Sequence, residues 1–365
     1  MTLSLYIARR FFWTFLRILG VFYGMMVLID AVDQVRSFSS EGIGAAKALQ
    51  LAALNTPASL YRVLPLIMIL SAIALFVGLA RSSELVVIRA AGRSALRFLL
   101  APVVVALAVG VFAVTVLNPL VAATTQLHDS LVAHIAVRGD SVLSVSEDGL
   151  WLRQGGETGQ TVIQAARSNQ DGTALFGATF VIFDTEGLPT ERIEANVARL
   201  RDGGWQLQGA KAWNLRAANP ERDAASTTPP AIVPTDLTLE SIRNSFGEPS
   251  AIPFWSLPSY IGGLERAGFS ARSHWVWLHM ELAQPILLAG MVLLAAGFTM
   301  RHARSGKTGY FVLLAILGGF GIFFLRNFAQ VMGDTGQIPV LLAAWSPPVV
   351  AIFSALGLLL HVEDG

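Results

Sequence analysis

Cysteine is absent from the 365 residues. Its absence removes disulfides, thiolate catalysis and cysteine-ligated zinc together. Charge is scarce as well. Asp, Glu, Lys and Arg make up 14% of the chain, where soluble domains carry about 25%. Histidine occurs six times, and the net charge is only +1, so no global field points to nucleic acid. What fills the chain is apolar: 53% of residues, with a mean hydropathy of +0.57. These values exclude a disordered chain and argue against an ordinary soluble enzyme. The charges are unevenly placed. Residues 138–250 hold 15 of the 25 acids and 10 of the 26 bases, a net of −5, which leaves +6 for the rest. A polar, mildly acidic segment is inserted in an apolar, basic one.

A spanning helix needs about 20 apolar residues. Six stretches qualify or come close: 11–29, 63–80, 98–117, 282–300, 310–325 and 338–360. The reading is three spans, a large polar loop, then three spans, with the segment 33–59 as a short loop. Lys and Arg set the orientation. Arg9, Arg10, Arg81, Arg89, Arg93, Arg97, Arg301, Arg304 and Lys307 fall on one side. The short loops on the other side carry only Arg36 and Lys47. The cation-rich side is expected to be cytoplasmic, with both termini inside and the large loop outside. Span one has the basic flank of a secretory signal but no small-x-small site after it, so it is read as retained.

The large loop divides further. Residues 118–138 continue span three as a helix. Period-2 alternation follows over 149–153, 161–167, 174–184, 192–200 and 205–215, separated by Gly155-Gly156, Asp171-Gly172, Glu186-Gly187 and Asp202-Gly203-Gly204. This spacing predicts an antiparallel sandwich or jelly roll, with an apolar face including Val162, Phe180, Ile182 and Trp205. Residues 219–234 read as a loop, and 258–268 as a short amphipathic helix at the outer interface.

Catalytic and metal motifs are weak. Gly306-Lys307-Thr308 ends like a phosphate-binding loop, but Arg301 stands where the first glycine is required. His128-Asp129-Ser130 are sequential on a helix, whose adjacent side chains are expected to diverge rather than form a triad. His128 with His134, and His274 with His279, lack i,i+4 spacing. Gly20 and Gly24 form a GxxxG that permits close helix approach. The connection after span two is more informative. Residues 81–94 read as a complete helix: Ser82 or Ser83 caps it, Glu84 sits in its first turn, and Leu85, Ile88 and Ala91 make an apolar stripe. Gly92 ends it. Such a helix either grips a soluble motor or rests on the bilayer with Arg89 and Arg93 on phosphates.

Leu64-Pro65, Ser83-Glu84-Leu85-Val86-Val87, Ala91-Gly92, Val32-Asp33-Gln34, Gly149-Leu150-Trp151, Gln284-Pro285 and Ile338-Pro339 together resemble the LptF/LptG permease family of the lipopolysaccharide exporter, nearer to its LptG members. The resemblance covers the whole chain. It implies six transmembrane helices in a 3+3 layout around an inserted all-β, jellyroll-like periplasmic domain. Helices 1–3 with a coupling helix at 81–92 would occupy 1–123. The periplasmic domain would occupy 124–274, with its jellyroll at about 141–245, and helices 4–6 would occupy 275–365. It implies an inner-membrane ABC-transporter permease that extracts lipopolysaccharide and hands it to a periplasmic bridge of LptC and LptA. The expected partners are an LptF-like permease and an LptB-like ATPase dimer that holds ATP and magnesium, with no cofactor on this chain. Coupling would fall to Glu84, Leu85, Ile88, Arg89, Ala91 and Gly92.

One position departs from the family. Asp30 stands where other members carry a lysine thought to meet lipid A phosphates. Replacement cations near the outer rim are Arg36, Arg62, Arg138, Arg272 and Arg326, and all but Arg326 are at least as readable as interfacial anchors. Arg326 follows an uncharged run, where a cation is costly unless it meets water, an anion or an acid. Glu281 offers a structural partner for it. The rival classes are a membrane-anchored periplasmic scaffold or sensor, and an intramembrane lipid-modifying enzyme.

Overall fold

A computed structural model describes residues 2–37, 44–82, 84, 95–136, 142–146, 149–156, 159–169, 172–184, 187–201, 203–224, 232–235, 248–266, 269–300 and 308–363. The chain divides into two compact units. The first comprises Met1–Leu131, Pro253–Trp255 and Arg272–Gly365; the second comprises Val132–Ile252 and Ser256–Ala271.

The helical unit contains α1 (Thr2–Ser37), α2 (Ala45–Arg62), α3 (Leu64–Arg81), α4 (Ala95–Phe112) and α5 (Asn118–Ala136), with a π-helical turn at Ala113–Leu117 joining the last two. Among the described residues, six helices are long and apolar enough to cross a membrane: Leu3–Arg36, Leu64–Arg81, Arg97–Val132, Arg272–Thr299, Thr308–Asp334 and Val340–His361. Helix α2 corrects the expectation of a loop across 33–59. Its Asn55, Thr56 and Pro57 read as loop residues, and its polarity is too high for a span. Yet Ala48, Leu51 and Ala52 recur at helical spacing and are all buried. Polar contacts complete the seat. Asn55 Nδ2 donates to Asp30 Oδ1 at 3.3 Å, and Thr56 Oγ1 donates to Asp30 Oδ2 at 2.9 Å. Asp30 therefore fastens α2 to α1.

In hydrocarbon, helices associate by close packing rather than by hydrophobic drive, which favours small residues at contacts. Gly110 shows this: a Cβ there would stand 2.4 Å from Pro285 Cα. Phe76, Leu79, Ile67, Met68 and Ile69 on α3 are buried in the same apolar core as Leu288, Met291 and Ala295.

The second unit holds one antiparallel sheet: β1 (Val142–Ser146), β2 (Gly149–Gly156), β3 (Gly159–Ser168), β4 (Ala174–Phe183), β5 (Pro189–Arg201), β6 (Gly204–Asn214) and β7 (Ile232–Pro234). The strands run in sequence order. A jelly roll requires Greek-key crossovers, so the described strands form a meander instead. The expected loop 219–234 contains α6 (Pro220–Ala224) and β7; both are too short to show a period. Helix α7 (Leu257–Arg266) is amphipathic, with Leu257, Ile261 and Leu264 buried.

The sheet nevertheless forms two walls. Its alternation slips at one row. Buried residues are spaced by three rather than two at Ala165/Ser168, Leu175/Ala178 and Ala195/Ala198. The strand pairings align Ala166, Gly177, Asn196 and Gly209 across this row. Gly177 and Gly209 have φ of 61° and 65°, a region that side chains disfavour. Beyond this crease the sheet turns back. Phe180 is in register with Ile193, and Ile193 with Ala212, seven residues from Trp205 and about 23 Å along an extended strand. The Phe180 and Trp205 rings are 6.5 Å apart, edge to face, and neither is exposed. Full burial of a phenylalanine contributes about 1.5–3 kcal/mol. Val162 is corrected by the register. It pairs with Val181 on the face opposite Ile163 and Phe180.

Candidate functional site

At the end of α3, Glu84 is held by α1. Arg10 Nη1 lies 2.7 Å from both Glu84 carboxylate oxygens, Ser82 Oγ donates to Oε1 at 2.7 Å, and Tyr6 Oη donates to Oε2 at 3.2 Å. Arg10 also donates to Tyr6 Oη at 2.8 Å and lies over its ring. Both ends of the ion pair are one-third exposed, so solvent screens it, and the pair is worth less than about 1 kcal/mol. The Arg10 hydrogen bond, then Ser82, holds the Glu84 carboxyl below the usual carboxylate range. Sequence reasoning counted Arg10 only as an orientation signal; its role as partner to an acid 74 positions away has no local signature. Of the expected coupling residues, Leu85, Ile88, Arg89, Ala91 and Gly92 lie outside the described residues.

A second cluster is buried inside the helical unit. It is built on α2, the π-turn, α8 (Arg272–Thr299) and α9 (Thr308–Asp334). Glu281 is 0% exposed, Arg326 6%, Asn118 1% and Tyr61 7%. Tyr61 Oη donates to Glu281 Oε2. Arg326 interacts electrostatically with Glu281, and Asn118 interacts with both Tyr61 and Glu281. Glu281 Oε1 and the amide of Gln284, one turn along, make no direct hydrogen bond. Pro285 lacks an N–H, so the backbone carbonyl of Glu281 also loses its helical donor. The sequence placed Glu281 and Arg326 as candidate partners. Tyr61 and Asn118 were not singled out, although Asn118 is a polar residue at the end of an uncharged run.

The remaining candidate cations disperse. Arg36 ends α1 and Arg62 ends α2, both exposed. Arg62 is near enough to Arg326 to oppose its charge. Arg272 opens α8, with its guanidinium against Gly336 beyond the C-terminus of α9, where a cation meets the helix dipole favourably. Arg138 lies outside the described residues. Gly20 and Gly24 on α1 have open space where a Cβ would be. The triad letters need one correction: His128 Nδ1 does reach Asp129 Oδ1, at 3.1 Å. Ser130 Oγ instead donates to the Leu127 carbonyl, so no nucleophile joins them.

A helical unit that uses its rare charges to fasten helices, with a folded sheet inserted between its third and fourth spans, defines a multi-pass membrane protein with an inserted β domain. The model of the lipopolysaccharide export system permease LptF/LptG matches residues 5–361, and the chain belongs to that family. It is 25% identical over 376 residues to the lipopolysaccharide export system permease protein LptG of Haemophilus influenzae, covering 100% of this chain and 99% of that protein. It is 24% identical over 371 residues to the protein of the same name from Escherichia coli strain K12, covering 98% of each.

Proposed function

We propose that the chain is the LptG-type half of a lipopolysaccharide exporter. In this reading it pairs with an LptF-like permease in the inner membrane, both termini cytoplasmic and the folded sheet periplasmic. An LptB-like ATPase dimer, holding ATP and magnesium, docks on the segment around Glu84. The permease draws lipopolysaccharide from the membrane and passes it towards LptC and LptA. The observation that carries this reading is the end-to-end family match, which spans both the helices and the inserted sheet. The two walls of the sheet support a path for acyl chains between them. Arg36, Arg62, Arg138 and Arg272 remain the candidates for lipid phosphates. The burial of Arg326 beside Glu281 favours a structural pair.

The test is reconstitution. Co-expressed with its six-span homologue and the ATPase, the chain should purify as one complex. In vesicles containing lipopolysaccharide, that complex should load an added bridge protein only when ATP is supplied. Purification without either partner, or loading at the same rate without ATP, overturns the proposal.

A further inference from the structure

The π-turn of the third span carries a second, unassigned arrangement. Asn118 closes it by donating its backbone N–H to the Ala113 carbonyl. The next residue, Pro119, has no N–H, so the Thr115 carbonyl four positions earlier is denied its ordinary helical donor. A distant segment fills this place. Trp255 Nε1 donates to the Thr115 carbonyl at 3.2 Å, and the Phe254 backbone N–H donates to Asn118 Oδ1 at 2.8 Å. The two aromatic rings pack edge to face at 5.2 Å. Pro253–Trp255 belongs to the helical unit, although the sequence on both sides of it belongs to the other.

We infer that Pro253–Trp255 is a latch seated on the proline-freed carbonyl, and that Asn118 is a positioning residue linking it to the buried Tyr61–Glu281–Arg326 cluster. The Asn118 amide is the common element. Its oxygen is committed to the latch, which turns its N–H groups towards Glu281 and Tyr61. At 1% exposure it is shut off from bulk solvent on both sides. A shift of α8 or α9 that moves Glu281 or Arg326 therefore reorients Asn118 and loosens the latch. π-turns recur at functional positions because the extra residue aims groups that a regular helix would bury in its own ladder. Here it aims one side-chain amide and one carbonyl at the same incoming segment. The inference does not depend on the transported molecule.

The experiment is hydrogen–deuterium exchange on the purified full chain in nanodiscs, resolved at the Phe254 amide. Asn118→Leu should accelerate its exchange about three- to tenfold, the loss expected of one neutral hydrogen bond, while exchange in Val340–Glu363 stays unchanged. Trp255→Phe keeps an aromatic ring but removes the indole N–H; Trp255 is exposed, so the substitution opens no core cavity and serves as the second variant should Asn118→Leu fail to fold. It should accelerate Phe254 exchange about two- to fivefold. The charge-balanced pair Glu281→Leu with Arg326→Leu touches no latch atom, yet should raise Phe254 exchange at least twofold. Wild-type exchange in Trp255→Phe overturns the latch. Wild-type exchange in the charge-balanced pair overturns the link through Asn118.

Discussion

Removing Glu281 should damage the protein more than removing Arg326, and removing both should damage it least. The two groups are 0% and 6% exposed and sit among spanning helices. Truncating one member of a buried ion pair costs about 3–5 kcal/mol, because the other charge is left uncompensated. The members differ in how they respond. An isolated arginine stays charged, so Glu281→Leu should cost the full amount. An isolated glutamate can take up a proton and keep its Tyr61 hydrogen bond, so Arg326→Leu should cost less, about 1–3 kcal/mol. With both replaced by leucine, the loss should fall to about 1 kcal/mol or below, since apolar residues of similar volume substitute well for a buried pair. The assay is thermal unfolding of the purified chain in detergent, followed by tryptophan fluorescence, with lipopolysaccharide affinity measured on each variant. Double-variant losses equal to the sum of the single losses would refute the pairing. Normal accumulation of Arg326→Leu with weakened lipid affinity, and no rescue by Glu281→Leu, would return Arg326 to the phosphate-binding role.

Glu84→Arg places a second cation beside Arg10 and reverses the sign offered to an ATPase; export and ATPase recovery on co-purification should both fall at least tenfold, and unchanged values of both would remove Glu84 from coupling. The folded-state pKa of Glu84 is depressed, so its stabilisation by Arg10 is present above about pH 4.3 and lost only as pH falls through the depressed value. The unfolding difference between wild type and Arg10→Ala should therefore be flat from pH 8 to pH 5 and shrink below that; shrinkage near neutrality would contradict the assignment. Gly110→Ala drives a methyl into Pro285 and should cost about 1–3 kcal/mol, whereas Gly321→Ala meets open space and should be neutral or gain up to about 1 kcal/mol in helix propensity; equal melting temperatures would deny the close contact. Photo-crosslinkers at Phe180 and Ile182 should capture lipopolysaccharide in an ATP-dependent manner while Val162, on the opposite face, should not; equal capture at all three would remove the sheet interior from the path.

The six spans were legible as apolar runs long enough to cross a bilayer, and five of the strands as period-2 alternation between turn signals. Helix α2 was not, since Asn55, Thr56 and Pro57 carry the local signature of a turn; the Asp30 carboxylate on another helix explains the place of the first two. The crease was hidden for a related reason. A one-residue slip in a single strand looks like noise in the alternation, and it acquires meaning only when Gly177 and Gly209 fall in register with Ala166 and Asn196. The candidate sites divide the same way. Glu281 and Arg326 stood out as charges in apolar surroundings, and Glu84 as an acid in the first turn of a short helix otherwise bearing arginines. Tyr6, Tyr61 and Asn118 are ordinary residues whose importance comes from which distant group they meet.

The crease also settles a question of threading. A barrel encloses its contents, so a long guest must enter by an end. Strands that follow one another in sequence and are folded once across their middle enclose nothing in that sense. Like a sheet of paper bent along one line, the domain has a spine at Ala166, Gly177, Asn196 and Gly209, and its margins lie at the strand ends, where Gln154 on β2 donates to the Pro234 carbonyl at 3.1 Å and accepts from Thr235 Oγ1 at 2.5 Å. Among the described residues, β3–β6 each run from one margin to the other through the spine, and no strand pairing joins the two margins. Entry to the space between the walls would therefore lie along the margins, away from the Gln154 bridge, and would break no strand pairing.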